Sequence, residues 1–324
     1  MDTPPIVDIT DLRRIAIGPP SESDIRLADH PEAIAIHAAC LETGFFVVTG
    51  HGIDDEISVL FRAARRFFEL PSVDKETVPR TGRYGYVPYR PWAIDTARAS
   101  DSTEYLEVGL RDEVEVMDWF EAAIRPYQAA ALDVAARLLR VLAVQLGAPA
   151  TFFADRMADP QCRLRFLHYP PVTPADDGTL PVPTLPHTDY GALTLLATDG
   201  VPGLEVLPIG GTWTPVDAPA GSLVINLGDM LARWTNDVYR STPHRVVGPE
   251  HGDRLSIPFF VNPDPATIVE CLPSCVTADR PRAYQPVTAG EFLTMRIDGT
   301  SEPYVDRAAG PARRATRPRA DQRE

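Results

Sequence analysis

Between residues 164 and 261 the chain passes through LRFLHY (164–169), ALTLLAT (192–198), GLEVLP (203–208), SLVINL (222–227), HRVVG (244–248) and RLSIPFFV (254–261). Each run is apolar, too short for a helix, and bounded by Gly, Pro or Asp, which is the signature of strands separated by turns. Several such runs at close spacing, with no long helix between them, predict an antiparallel barrel or jelly roll. The fold class expected is mainly β with flanking helices, built on a double-stranded β-helix core.

Outward from that core the texture changes. Phe120, Ile124, Tyr127, Ala131, Val134, Leu138 and Val141 recur at spacings of four and three, placing one apolar stripe on a long helix, with Pro126 as a kink or break. Further upstream, PIVDIT (5–10) reads as a strand, residues 32–43 as a helix ending at Gly44, FFVVTG (45–50) as a buried strand, and 54–70 as a helix closed by Pro71. GRYGYVPYRPW (82–92) reads as an irregular loop, and TAGEFLTMR (288–296) as the last helix. The resulting division is an α/β N-terminal region over 1–115, helical support over 116–160, a jelly-roll catalytic domain over 161–300 and an Arg-rich flexible tail over 301–324.

Composition narrows the function classes. Hydrophobic residues make up 44% of the 324 and charged residues 23%, which predicts a packed core. A formal net charge of −14 argues against nucleic acid as a partner, because backbone binding needs clustered Lys and Arg, and against holding anionic membranes. Cys40, Cys162, Cys271 and Cys275 are too few and scattered for a disulfide framework or a zinc site. The start MDTPPIVDIT lacks a basic end and apolar run, and residues 129–146 are interrupted by Asp133, Arg137 and Arg140. The expectation is a cytoplasmic monomer or weak homo-oligomer acting on a small molecule.

No phosphate loop, dinucleotide fingerprint, nucleophile elbow or zinc-protease helix motif occurs. PHTDYGALTLL (186–196) stands out instead. In a strand, residues two apart share a face, so His187 and Asp189 project together, and His244 from another strand completes two imidazoles and a carboxylate. Such a set occupies one face of an octahedral metal, leaves three positions open, and suits Fe(II). Alone, a His-x-Asp pair is more often a histidine satisfied by a neighbouring acid. Arg254 follows His244 by ten residues, with Ser256 two further on. A planar guanidinium in an apolar strand needs a carboxylate, and a hydroxyl beside it adds a hydrogen bond. The alternative is an edge-strand Arg paired with a protein acid.

Together these segments resemble the isopenicillin N synthase-like family of Fe(II)/2-oxoglutarate-dependent dioxygenases. PIVDI and ETGFFVVTGHGI look like its N-terminal region. LRFLHYPP, HTDYGALTLL, INLGDML, RWTNDVYRSTPHRVV and RLSIPFFVNPDP look like its catalytic barrel. The resemblance implies that His187, Asp189 and His244 bind Fe(II), that Arg254 and Ser256 grip the far carboxylate of 2-oxoglutarate, and that Tyr169 hydrogen-bonds the same co-substrate. Leu167 and His168 depart from the plant pattern, which has Asn and Tyr there, and His168 is read as structural. O2 is the expected oxidant, with ascorbate as a stimulant.

The implied activity is oxidation of a C–H bond of a small molecule (hydroxylation, desaturation or oxidative cyclisation) while 2-oxoglutarate is decarboxylated to succinate. Asp189 argues against halogenation, since its carboxylate takes the place a halide needs. The setting expected is bacterial secondary metabolism, antibiotic biosynthesis included. No catalytic residue beyond the metal site is expected. Candidate substrate contacts are Tyr84, Tyr86, Tyr89 and Trp92 as walls, Arg90 as an anion hook, and Tyr190 and Phe260 beside the site. Glu104 and Glu107 read as a solvated face. Two alternatives stand beside this reading: an Fe(II) oxidase of the same fold that does not use 2-oxoglutarate, as in isopenicillin N synthase, and a non-catalytic small-ligand receptor.

Overall fold

The runs at 193–198 and 223–227 are apolar at nearly every position, and both are buried throughout, because the sheet they form is covered on both faces. A computed structural model of the protein describes residues 3–14, 27–89, 103–111, 113–172, 183–249 and 251–299. In chain order its elements are β1 (Ile6–Asp8), α1 (Pro31–Glu42), β2 (Phe45–Thr49), α2 (Asp54–Phe68), α3 (Ser72–Lys75), β3 (Gly85–Val87), β4 (Glu104–Gly109) and α4 (Asp118–Gln145). Then come β5 (Arg163–Tyr169), β6 (Thr184–His187), β7 (Leu193–Thr198), β8 (Leu204–Val206), β9 (Thr214–Pro215), β10 (Leu223–Leu227) and α5 (Asp229–Trp234). The last are β11 (His244–Val246), β12 (Arg254–Val261), β13 (Ile268–Val269), β14 (Val287–Thr288) and α6 (Ala289–Ile297).

An eight-stranded sheet has the order β1-β2-β10-β7-β12-β5-β4-β3, and a four-stranded sheet the order β6-β11-β8-β9. This is the expected jelly roll, extended by N-terminal strands at both edges, β1 and β2 at one and β4 and β3 at the other. Side-chain alternation assigns each residue of the large sheet to one of two layers. Leu164 and Phe166 of β5, Leu195 of β7 and Leu255, Ile257 and Phe259 of β12 join one cluster with the helices. Phe45, Val47, Leu196 and Val224 turn the other way and pack against Leu204 and Val206 of the small sheet.

The long helix α4 covers the outer layer. Its seven predicted stripe residues are all buried, each at most 2% exposed, and the helix continues through Pro126 without a break. Burial of each large side chain contributes about 1.5–3 kcal/mol, enough together to offset the hydrogen bond that proline removes. Gly44 ends α1 and launches β2 with φ +67°, and a Cβ there would fall 2.2 Å from the carbonyl oxygen of Arg240. Glycine is required for that reversal.

Two expectations fail here for one reason. The 82–92 segment contains a strand, β3, and β3 pairs with β4, where a solvated face was expected. Glu104 and Glu107 are buried at 6% and 0% exposure, because each carboxylate meets cations from neighbouring elements. Arg90, Trp92 and the 301–324 tail lie outside the described residues. Among the described residues no helix is long and apolar enough to cross a membrane.

Glu104 closes the sheet edge. Lys75 donates to its Oε2 at 2.7 Å, the Tyr86 hydroxyl donates to the same oxygen, and His168 Nδ1 lies 2.7 Å from Oε1. The second His168 nitrogen is 3.3 Å from Asp253. Burial alone would raise the Glu104 pKa; the bonds from His168, Lys75 and Tyr86 overcome it and hold the carboxyl at about 2. Burial likewise disfavours the charged imidazole, but Glu104 and Asp253 raise the His168 pKa above its ordinary 6.5. The Glu104 contribution is present above its ordinary 4.5 and lost as pH falls towards 2. The His168 contribution is present below 6.5 and lost as pH rises through its raised value. His168→Gln is therefore expected to lower stability at pH 6 by about 1–3 kcal/mol, with the gap narrowing by pH 9. Urea unfolding at the two pH values measures it, and a pH-independent gap would show that His168 is uncharged in the fold.

Candidate active site

β6 ends on His187 and β11 begins on His244, and the antiparallel register makes these two residues direct partners. Their ring centroids are 4.3 Å apart. Asp189 lies just past the end of β6, with its Oδ1 3.9 Å from His187 Nε2 and 3.8 Å from His244 Nε2. One donor atom from each residue falls within 4.8 Å of the others. Asp189 and His244 are buried, while the His187 side chain is 39% exposed, so the centre opens on that side.

The surroundings aim the three donors. His187 Nδ1 sits 2.8 Å from the Leu185 carbonyl and His244 Nδ1 3.2 Å from that of Thr242, an arrangement that protonates Nδ1 and turns each Nε2 towards the centre. Asp189 Oδ2 accepts from Thr194 Oγ1 at 2.5 Å and Asn226 Nδ2 at 2.7 Å, which directs Oδ1 at the imidazoles. Burial opposes ionisation of Asp189, but the two imidazoles and these hydrogen bonds bring its pKa below 3.8. Two neutral nitrogens and one anionic oxygen on adjoining elements fit a first-row divalent cation such as Fe(II).

Asp229, at the start of α5, supports this loop from below. Its backbone N–H donates to the Asp189 carbonyl at 2.8 Å. Its carboxylate accepts from Ser241 at 2.6 Å and from Thr188, the residue between two ligands, at 3.2 Å. Arg296 of α6 lies 2.5 Å from the same carboxylate and 4.6 Å over the Tyr190 ring. Burial pushes the Asp229 pKa up to about 6 against the pull of Arg296, Ser241 and Thr188. Sequence reasoning reaches none of Thr194, Asn226, Asp229 and Arg296. A signal exists for Asn226, the lone polar side chain in the apolar strand LVINL.

Arg254 and Ser256 share the inward face of β12 and are 1% and 2% exposed. Arg254 Nε donates to the Val201 carbonyl at 3.1 Å, its guanidinium lies 4.9 Å over the Tyr169 ring, and its Nη1 is buried with no hydrogen-bond partner. Gly203, at φ +149°, makes room: a Cβ there would fall 2.7 Å from the Val247 carbonyl oxygen and 3.4 Å from Arg254 Cδ. No protein carboxylate pairs with Arg254 among the described residues, against the edge-strand alternative. A buried guanidinium with an unfilled donor fits an incoming carboxylate. The buried hydroxyl of Tyr169 is 3.4 Å from Thr184 Oγ1.

The substrate candidates separate. Tyr86 pairs with Leu106 on the helix-packed face and binds Glu104, so it is a core residue and not a pocket wall. Tyr190 is half-buried beneath Arg296 and adjoins Asp189. Phe260 projects inward beside Thr194, and Tyr84 is half-buried in the turn before β3. His168 faces Glu104, away from Arg254, in keeping with a structural role.

Thr194→Val and Asn226→Leu, each removing one hydrogen bond to Asp189, are expected to weaken divalent metal binding by about 10–100-fold with the fold intact. Anaerobic titration calorimetry with Fe(II) measures the loss. Unchanged affinity would show that these bonds do not set the carboxylate.

Comparison with known proteins identifies the family. A family profile described as the 2OG-Fe(II) oxygenase superfamily matches residues 158–263, and one described as non-haem dioxygenase in morphine synthesis N-terminal matches residues 5–123. A 2-oxoglutarate-Fe(II) type oxidoreductase of Aspergillus fumigatus is 31% identical over 92% of this chain and 94% of its own. A homoarginine-6-hydroxylase of Glycine max is 31% identical over 90% of this chain and 96% of its own. The crystal structure of a full-length Neurospora crassa protein in complex with alpha-KG and thymine superposes with a TM-score of 0.79 at 28% identity, covering 92% of this chain and 97% of that one. The chain belongs to the 2OG-Fe(II) oxygenase superfamily and is an enzyme that uses Fe(II) and 2-oxoglutarate.

Proposed function

We propose that His187, Asp189 and His244 hold Fe(II), that Arg254, Ser256 and Tyr169 hold 2-oxoglutarate, and that the enzyme oxidises a C–H bond of a small molecule by hydroxylation, desaturation or oxidative cyclisation. The observation that carries this reading is the buried Arg254, its Nη1 unfilled, on the inward face of a barrel that also holds a three-donor centre. When bound, iron would let dioxygen act as the oxidant, O2 taking two electrons from 2-oxoglutarate, which leaves as succinate and carbon dioxide, and two from the substrate C–H bond.

The chain's own residues bind, orient and exclude water. Arg254 offers a bidentate fork for the far carboxylate, with the Ser256 hydroxyl beside it and the Tyr169 ring beneath the guanidinium. Thr194 and Asn226 keep Asp189 ionised and fixed. The small sheet and its apolar contacts close the barrel behind the site. A small-molecule substrate is supported by thymine in the Neurospora crassa complex and by the name homoarginine-6-hydroxylase, each belonging to its own protein. The family resemblance points to a setting in bacterial secondary metabolism, and the two relatives described above are fungal and plant proteins.

Anaerobic addition of Fe(II) and 2-oxoglutarate is expected to give a weak visible absorption band, and aerobic turnover to release succinate. Arg254→Met, which removes a charged hydrogen-bond partner, is expected to raise the 2-oxoglutarate requirement about 10–100-fold. Iron-dependent oxidation without succinate would overturn the co-substrate assignment in favour of an oxidase of the isopenicillin N synthase type. Absence of both band and turnover would overturn the reading altogether.

A further inference from the structure

Asp199 follows β7 directly, and its side chain is 2% exposed. A carboxylate buried to that extent needs donors, and those that meet Asp199 converge on the surroundings of Arg254. Oδ1 accepts from the Val201 N–H at 3.1 Å, and Oδ2 from the Leu255 N–H at 2.8 Å. The half-exposed Arg65 of α2 donates to the same Oδ2 at 3.2 Å. The Asp199 N–H returns a bond to the Leu255 carbonyl at 3.3 Å.

These bonds grip Arg254 from two sides. Leu255 is the next residue on β12, so Asp199 fixes the backbone from which the Arg254 side chain springs. Val201 supplies the carbonyl that accepts from Arg254 Nε at 3.1 Å, so Asp199 also fixes the acceptor that sets the plane of the guanidinium. With Nε held there and the guanidinium carbon 4.9 Å over the Tyr169 ring, Nη1 is left as the buried donor without a partner among the described residues. A planar fork recognises a carboxylate only while its plane is kept, so this orientation is worth holding. The rest of the turn is shaped to the same end. Gly200 and Gly203 take φ +84° and +149°, and the Gly203 carbonyl accepts from the Val247 N–H at 2.8 Å, which seats the turn on the chain just past β11. Thr198, the residue before Asp199, is the strand partner of Ser256.

A carboxylate that only closed this turn would need the Val201 bond and no other. The bonds to Leu255 and Arg65 cross to β12 and to α2, 56 and 134 residues away in sequence. One of those elements carries the co-substrate anchor and the other belongs to the N-terminal region.

We propose that Asp199 is a positioning residue for the co-substrate: it holds the Arg254 guanidinium in the orientation that receives the far carboxylate of 2-oxoglutarate, and Arg65 couples that hold to α2. Asp199 acts through Arg254 and not by touching the ligand. This rests on the assignment of Arg254 to 2-oxoglutarate above, and the experiment separates the two.

Asp199→Asn is nearly isosteric: its Oδ1 keeps the Val201 bond, while its amide turns N–H groups towards the Leu255 N–H and Arg65. The affinity of Fe(II)-loaded protein for 2-oxoglutarate is read anaerobically from the visible band, and Fe(II) affinity without 2-oxoglutarate by calorimetry. Asp199→Asn is expected to weaken 2-oxoglutarate binding about 5–20-fold and to leave Fe(II) affinity unchanged. Arg65→Gln, at a half-exposed position that leaves both backbone bonds in place, is expected to weaken it about 2–5-fold. In Arg254→Met protein neither substitution is expected to weaken binding further, because changes that act through one group are not additive. Arg65→Gln carries the same test should Asp199→Asn fail to fold. Unchanged 2-oxoglutarate affinity in the folded variants overturns the proposal, and so does an equal loss with and without Arg254, which marks a general structural role. Both outcomes leave the Arg254 assignment intact. A wild-type protein with no band, or one whose 2-oxoglutarate affinity survives Arg254→Met, overturns that assignment and the proposal together.

Discussion

Two hydrogen bonds to one oxygen of Asp189 tie the metal-ligating loop to the middle of the large sheet. Thr194 comes from β7 and Asn226 from β10, the adjacent central strands, so the carboxylate is set by the most deeply buried part of the fold. The two histidines come from the other sheet, where the β6–β11 register sets them opposite one another. The donor set thus exists only when both sheets are in place and in register. A one-residue slip of β7 would turn Thr194 to the helix side and put an apolar neighbour under Asp189. Catalytic geometry and folded topology are here the same constraint.

Much of this was legible in sequence because it depends on local pattern. Short apolar runs bounded by turn residues mark the strands, the four-and-three spacing of Phe120 to Val141 marks α4, and His187, Asp189, His244, Arg254 and Ser256 stand out by spacing together with the family resemblance. The supports of the site were not legible. Asn226 and Asp229 sit far from His187 in sequence and meet it only through the fold, and Arg296 reaches Asp229 from the last helix. No single-chain spacing rule links those three.

Glu104 and Glu107 show the same limit from the other side. Glutamates interleaved with apolar residues read as solvated, since an unpaired carboxylate is costly to bury. Lys75 from α3 and His168 from β5 remove that cost for Glu104, and Arg163 and Arg165 remove it for Glu107. Each pairing crosses elements, so the information that makes burial possible is absent from the segment being read. Tyr86 falls to the same limit, because its hydroxyl follows Glu104 into the interior.

The two buried glutamates differ in the side of the sheet they brace. Glu104 faces Lys75, His168 and Tyr86 on the helix-covered side, where every group is matched and the effect is to lock a sheet edge. Glu107 lies on the opposite face of the same strand, towards the barrel interior, with two guanidiniums directly on it.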